Sequence, residues 1–525
     1  MCIINAMNLI LKRTLNKFKK LNRKQKQTFI LISLYLLSVS IRLFDIKNAS
    51  IYSDEITWMV RGKELIYAII HGNDNFFINA WWNKTSDTEA IAIPLTFLNG
   101  IFQFVFAGNG KYSLKIFSDI LASRIPIVLT ESLIPITIYY FGSNLFSKRL
   151  ALFSAIVYIF NPISIAFSRS TINDSLLTLF SFVSLISYIY FLKKQKINII
   201  PGISLALAFL TKPNGLLVIL GWLVYSLLSY KKSKISIKFF IINLFTSIAT
   251  ITALWPSSWQ KPVYAIIEYI YRQFTLTQTG MTVFYKGLST KQPGLDFYFL
   301  QYLIRTPEIL IFGFVISLFF LINKISRKTR LNNQELISII IYNLVFFIII
   351  SISNKKLGIR YALPLLPWFI IASVWGLIKL IEAIENKYLK ATIITITTAN
   401  ILYPLLFNPD YYFYYNFLAG GPKGAQNYDM VGFCNSSRLA TKYLENINAK
   451  GKLFVLGCPE AIPYYLSPDT NLKLTYHYKE ADYIILETYI TKQHPEDEIV
   501  NQLTSKEAFK EIVFHKAVIA KIYKN

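Results

Sequence analysis

The stretch IYSDEITWMVRG, residues 51–62, places two adjacent acids, Asp54 and Glu55, a few residues beyond the first strongly apolar segment, 29–44. Neighbouring carboxylates at the mouth of an apolar helix bundle are costly and need a cation or a function to hold them. If the stretch is helical, Asp54, Trp58 and Arg61 share one face. A carboxylate in a partly dehydrated apolar site can be tuned toward general-base work. A helix start with Ser53 or Asp54 as N-cap explains the same residues. Spacing alone leaves both readings open.

Working outward, the chain has 525 residues, of which 54% are hydrophobic and only 16% charged. A soluble protein of this size carries about a quarter charged residues. Many runs here are long enough for a bilayer, which takes roughly 17–25 residues per helix. The chain therefore reads as a polytopic α-helical membrane protein. Its net charge of +26 suggests nucleic acid until it is located. From residue 408 onward 13 Lys and Arg balance 13 Asp and Glu, so the first 407 residues hold 42 bases against 16 acids. Basic residues in the short loops of a membrane domain set topology rather than read DNA.

Apolar runs predict eleven spans near 29–44, 122–141, 151–167, 175–192, 199–210, 215–230, 239–255, 309–322, 336–353, 361–380 and 391–407. Residues 1–28 form a basic cytoplasmic N-terminus rather than a cleaved signal, and 29–407 the membrane domain. Outer loops are expected at 45–121 and 256–307. The segment 45–90 holds seven acids against four bases and so should face outward. Within the first loop, 91–107 is apolar but broken by Pro94, and is expected to lie on or dip into the outer surface. Alternate threading then puts Lys148, Arg149, Lys193, Lys194, Lys231, Lys324, Arg327 and Lys387 inside, with the N-terminus.

The same threading delivers several cations to the side that insertion disfavours: Arg124 in SRIP, Lys212 in LTKPNG, and Lys355, Lys356 and Arg360 in NKKLGIRYALPLLP. Snorkelling to headgroups accounts for any one of them. Their joint presence points to a bound anion. Arg169 and Asp174 sit in FSRSTINDSL at the outer end of the third span, where Asp174 also suits a helix cap. Glu131 lies well inside its span and must be paired or face the interior. The aromatics of 256–307, among them Trp259, Tyr271, Phe297 and Tyr298, suit an interfacial belt or a surface for a sugar or lipid tail.

Residues 408–525 are less hydrophobic and read as a small extracytoplasmic α/β domain, with strands near 452–457, 482–488 and 514–523 and a helix near 437–446. Of the three cysteines, Cys434 and Cys458 can pair in an oxidising compartment or remain free thiols.

Taken in order, the motifs SDE, SRIP, SRSTIND, LTKPNG and KKLGIRYALPLLP resemble the polytopic C-type (GT-C) glycosyltransferases. The similarity is to the family 39-like group of protein O-mannosyltransferases and bacterial aminoarabinose transferases. VFYKG (283–287), PGLDFY (293–298), LIRTP (303–307) and YYNFLAGGPKGA (414–425) are similar to its prokaryotic members. The resemblance implies that Asp54 is the catalytic base with Glu55 beside it. It implies that Asp174 shapes the same pocket, and that Lys212, Arg360 and Tyr361, with Lys355, grip a lipid phosphate. Arg124 and Arg169 are expected to join this substrate-binding set. The Glu-Lys-Pro-Pro motif of the aminoarabinose enzymes is missing. WNKTSDTEAIAIP (82–94) stands there, with Glu89 the nearest acid.

The expected reaction is transfer of one sugar, with inversion, from a polyprenyl-phosphate donor to a hydroxyl of a protein, lipid or glycan on the outer face. The leaving group is already a phosphate, so no metal or other cofactor is required. A lipid or solute transporter or flippase is the alternative, since charges in bundles also mark substrate pathways. A receptor whose outer domain binds partners is a third reading. The charges gather at one face rather than the midplane, and the sequence has no inverted repeat, which favours the enzyme.

Overall fold

A computed structural model describes residues 22–71, 92–107, 114–230, 235–255, 259, 261–278, 280–326, 334–432 and 434–525. The expectations for Glu89 and for the basic loops at 231–234 and 327–333 lie outside them. Chain order gives α1 (Arg23–Leu43), α2 (Glu55–His71), α3 (Ile93–Phe106), α4 (Asp119–Glu131), α5 (Leu133–Leu145), α6 (Lys148–Phe160), α7 (Pro162–Ser168), α8 (Asn173–Lys193) and α9 (Ile200–Thr211). Then come α10 (Val218–Tyr230), α11 (Ile235–Leu254), α12 (Pro262–Gln278), α13 (Phe297–Arg305), α14 (Glu308–Ser326), α15 (Gln334–Ile352), α16 (Leu366–Ala383) and α17 (Lys387–Leu402).

Among the described residues eight helices are long and apolar enough to cross a membrane, and a ninth crossing follows if the bent pair α6–α7 is one span. The remaining two of the eleven predicted segments are the shorter apolar helices Ile200–Thr211 and Glu308–Asn323. The bundle is that of a multi-pass membrane protein. Its outer helices show bare apolar surfaces, as α17 does with no buried residue, because lipid rather than protein covers them.

The third predicted span is not one straight helix. Asn161 ends α6 and caps α7, its Oδ1 accepting from the Ile163 and Ser164 amides at 3.0 and 3.2 Å. Pro162 occupies the first position of α7, and the two helices meet at 58°. A proline with no N–H to give starts a helix readily and cannot continue one.

Helices α2 and α3 of the first loop cross at glycines. A Cβ on Gly62 would overlap the Asn99 amide, and one on Gly100 would overlap the Gly62 carbonyl. The side-chain amides of Asn99 and Gln103 donate to the Trp58 and Met59 carbonyls at 3.1 and 3.0 Å. Trp58 is buried with Ala92, Leu95, Ile127 and Leu176, which seats the pair on α4 and α8.

In the long outer loop, α12 leads to a hairpin of β1 (Val283–Tyr285) and β2 (Leu288–Thr290). The C-terminal domain is a five-stranded sheet of order β4-β3-β5-β7-β6, built from β3 (Gly451–Leu456), β4 (Leu472–Leu474), β5 (Tyr483–Glu487), β6 (Lys510–Phe514) and β7 (Ala517–Lys524). Strands β4, β3 and β5 run parallel, whereas β7 pairs antiparallel with β5 and β6. Where one strand was predicted near 514–523, the chain makes a hairpin. His515 and Lys516 turn it with φ of 43° and 67°. Two successive left-handed residues match the right-handed twist of paired strands, a role Asn-Gly usually takes. Cys434 and Cys458 form a disulfide with Cα atoms 5.2 Å apart. It ties the residue just ahead of α18 (Ser436–Asn446) to the loop after β3.

Candidate active site

The segment leading to Asp54 is fixed from two sides. The buried guanidinium of Arg124, near the start of α4, donates to the carbonyls of Ile46, Ala49 and Ser50 at 3.0–3.1 Å. From the C-terminal domain, Asp410 Oδ1 accepts the Ser50 amide at 2.9 Å, and the Tyr465 hydroxyl accepts the Ile51 amide at 2.7 Å. Arg438 of α18 bonds Ser50 Oγ at 3.0 Å and pairs with Asp410.

The two acids then part company. Glu55 is 1% exposed, and both its oxygens face Arg124, at 2.6 Å to Nε and 2.8 Å to Nη2. They also accept the amides of Thr171 and Tyr52, at 2.9 and 3.2 Å. This is a saturated ion pair, the form in which burial of charge is tolerated. Asp54 turns the other way. Its side chain is 41% exposed, and Oδ2 meets Arg360 Nη1 at 2.6 Å. Burial alone would raise its carboxyl, but the charge and hydrogen bond of Arg360, with help from Lys212, hold it below the usual 3.8.

Around Asp54 stand the other predicted donor-site residues. The Lys212 ammonium follows α9, bonds Asp174 Oδ1 at 2.5 Å and lies 4.5 Å from the centre of the Tyr361 ring. Arg360 sits 5.4 Å from that ring and 5.2 Å from the ring of Tyr52. Both cations thus lie against one aromatic ring. Asp174 belongs to the first turn of α8, whose N-cap is Ile172, so its carboxylate serves Lys212 instead of capping. Lys355 lies on the loop between α15 and Gly358. Burial and the Arg360 charge push its ammonium down, opposed by Asp54. Its amide and that of Asn354 reach the Thr277 carbonyl at the end of α12. Among the described residues three buried polar atoms here lack a hydrogen-bond partner: Asp174 Oδ2, Arg360 Nε and the Tyr298 hydroxyl. Buried donors and acceptors are nearly always satisfied, so such a cluster marks where a ligand or water belongs.

Other cations from the same reasoning are placed elsewhere. Every donor nitrogen of Arg124 goes to Glu55 or loop carbonyls, as above. Arg169 bonds Asn408 at 3.0 Å and the Phe44 carbonyl at 3.0 Å, joining the end of α1 to the start of the C-terminal domain. Lys356 donates to the Pro293 and Gly294 carbonyls at 2.7 and 3.0 Å, which anchors PGLDFY. Arg305 pairs with Asp429 at 2.7 Å, tying α13 to the soluble domain. Glu131 is paired with Arg42 at 2.8 Å within the bundle and accepts from Tyr158. Residues 82–91, including Glu89, lie outside the description.

Tyr52 and Tyr298 were not singled out for this site. Tyr298 was visible as one aromatic among many in the long loop, and nothing in its spacing ties it to Arg360. Among the described residues no three His, Cys, Asp or Glu side chains gather as a metal site.

Residues 110–259 match a family model described as dolichyl-phosphate-mannose-protein mannosyltransferase. That span contains Arg124, Arg169, Asp174 and Lys212, but neither Asp54 nor Arg360. Among solved structures, the chain is similar to the archaeal oligosaccharyltransferase AglB of Archaeoglobus fulgidus, solved with an inhibitory peptide and a dolichol-phosphate. The match has TM-score 0.51 and 11% identity over 89% of this chain and 70% of that one. ArnT of Cupriavidus metallidurans, bound to undecaprenyl phosphate, gives TM-score 0.47 and 13% identity over 94% and 97% of the two chains. A comparison with curated proteins finds no match. The likeness to AglB shows a shared fold, and the family model covers residues 110–259 of this chain.

Proposed function

We propose that the protein transfers one sugar from a polyprenyl-phosphate-linked donor to an acceptor hydroxyl, with inversion, at the outer face of the membrane. The observation that carries this is the meeting of Lys212 and Arg360 with Asp54 around Tyr361, with unpaired buried polar atoms beside them. A cationic site at an apolar helix end suits a lipid phosphate, and Arg engages phosphate in bidentate fashion. The family description and the dolichol-phosphate held by AglB support the same donor class.

In the reaction, Asp54 takes the proton of the acceptor hydroxyl as its oxygen attacks the anomeric carbon from the face opposite the phosphate. The bond from that carbon to the phosphate oxygen breaks, and its electron pair leaves with the polyprenyl phosphate. Lys212 and Arg360 stabilise that departing charge, the contribution that is usually largest in such sites. With no donor present, Arg360 lies on Asp54 and weakens it as a base. A donor phosphate competes for the same guanidinium, so binding frees the carboxylate when it is needed. Glu55, Arg124 and Arg169 act as positioning residues, and Lys355 adds charge at the rim.

The proposed orientation has the N-terminus inside and the C-terminal domain outside. Cysteines placed at 149 and after residue 525 should label from opposite sides, and labelling from one side would reverse this topology. For the activity, purified protein is given a radiolabelled polyprenyl-phosphate sugar and candidate acceptors. Acceptor-dependent release of free polyprenyl phosphate is expected. Movement of intact donor across vesicles without release would favour a flippase instead.

A further inference from the structure

A second cavity, of about 670 Å³, lies between the first outer loop and the C-terminal domain. It is set apart from Asp54 by the Arg124–Glu55 pair, and Asp54 does not line it. Its size falls within the range of small-molecule sites. Five cations line it, three of which already have acids: Lys63 with Asp119, Arg124 with Glu55 and Arg438 with Asp410. Among the described residues Lys47 and Lys442 remain, one from the first outer loop and one from α18, with Glu445 as the other acid in the lining. Glu445 Oε1 is itself taken by the Ser467 amide at 2.7 Å. The wall also holds Asn48, Ser118 and the rings of Phe117, Tyr464 and Tyr465 beside aliphatic residues such as Ile51 and Leu121, and Tyr464 is 41% exposed. Two cations free to move toward a ligand, amide and hydroxyl groups, and an open ring face suit a sugar carrying a negative charge.

The cavity is also built rather than incidental. Arg438, Lys442 and Glu445 come from α18, and Tyr464 from the short helix Pro459–Tyr464. The Cys434–Cys458 disulfide joins the residues just ahead of these two elements. The lining is thus cross-linked on the side of the soluble domain and held by Arg124 on the side of the membrane.

We propose that this cavity binds an anionic saccharide, with Lys47 and Lys442 on the acidic group and Tyr464 under a ring of the sugar. The binding claim stands apart from the reaction proposed above. Its link to that reaction, that the ligand is part of the acceptor, rests on it.

The test is equilibrium binding to the full-length protein in nanodiscs, with a uronic-acid disaccharide, its neutral methyl ester and inorganic phosphate as probes. The charged disaccharide should bind at least about tenfold more tightly than the ester. A Lys47→Gln/Lys442→Gln double variant should lose about tenfold, the scale of one charge-assisted hydrogen bond. Both lysines are exposed, so the variant should fold, and an unchanged melting temperature checks this. Tyr464→Ala should weaken the disaccharide but not phosphate. Equal binding of acid and ester, or no loss in the double variant, overturns the proposal. Phosphate binding as tightly as the disaccharide, untouched by Tyr464→Ala, overturns its saccharide part. An Asp54→Asn protein that is inactive yet binds normally separates this site from the failure of the reaction.

Discussion

Asp54 and Glu55 are neighbours in sequence, yet the structure gives them opposite environments. Glu55 is closed in by Arg124 and two backbone amides, with no surface left for anything else. Asp54 keeps an exposed face and one cation, which a phosphate can draw away. The difference teaches how to separate a charge that holds a site from one that works in it. Saturated, buried partners mark the first. Incomplete bonding next to other unpaired polar atoms marks the second.

The sharpest way to break the comparison is to substitute each acid. Asp54→Asn keeps the shape and removes the base, so turnover should fall by about 10²–10⁴-fold, the usual general-base contribution. Its melting temperature should stay near wild type because the side chain is part exposed. Glu55→Gln should do the reverse at first: it leaves Arg124 buried without its charge partner, which typically costs about 3–5 kcal/mol. Thermal denaturation and yield of folded protein are the readouts. A stable, fully active Glu55→Gln protein would remove the distinction drawn here.

Arg360→Lys is a milder probe. It keeps the charge and loses the fork, so donor affinity should fall about tenfold, the scale of one charge-assisted hydrogen bond. Lys212→Ala should do likewise while expression holds, measured by binding of a polyprenyl phosphate. Unchanged affinity in both would leave the cations as headgroup contacts.

The pH profiles sharpen the same contrast by a smaller effect. In the free enzyme Asp54 is held below 3.8, so the acid limb of kcat/KM should lie below the ordinary aspartate range. If the donor phosphate takes Arg360, the limb of kcat moves upward. Coincident limbs would argue against that exchange.

A carboxylate in the soluble domain offers the opposite sign. Burial pushes Glu487 up to about 7, only partly offset by hydrogen bonds from Ser437 and the Cys434 amide. Its folded pKa is above its unfolded 4.5, so the stability linked to it is full below 4.5 and is lost as pH rises through 7. The melting temperature should therefore climb slightly from pH 8 to pH 5, and Glu487→Gln should flatten that slope.

Much of the fold was legible because it rests on length and charge. Spans must be apolar and long, and the loops that stay inside must be basic. Lys212 and Arg360 stood out because alternate threading places them where that second rule expects no cations. The rule says only that a misplaced cation needs an anion, not whose anion it is. That is why Arg124 and Arg169 were grouped with them, though their guanidiniums turn to Glu55, Asn408 and backbone carbonyls within the chain. The bend at Asn161–Pro162 was written in that dipeptide, but the apolar run on either side hid it. The hairpins at Lys286–Gly287 and His515–Lys516 were hidden for a different reason. Lys286, His515 and Lys516 take left-handed angles without the usual Asn or Asp, and strand pairing rather than local preference sets them there. Tyr298 reaches Arg360 only through packing of the long loop, which no periodicity reports.

The adjacency of the two acids also constrains how this protein can change. Loops ordinarily accept insertions and deletions. Between Ala49 and Glu55 the chain cannot, because Arg124 and the C-terminal domain fix its register at Ile46, Ala49, Ser50, Ile51 and Glu55. Adding one residue there would carry Asp54 into the slot of Glu55 and Ser53 into that of Asp54, and losing one would carry Glu55 into the slot of Asp54. Variation in this protein should therefore proceed by substitution at 46–55 and by changes of length elsewhere, and this stretch of the first loop should be the one whose length never drifts.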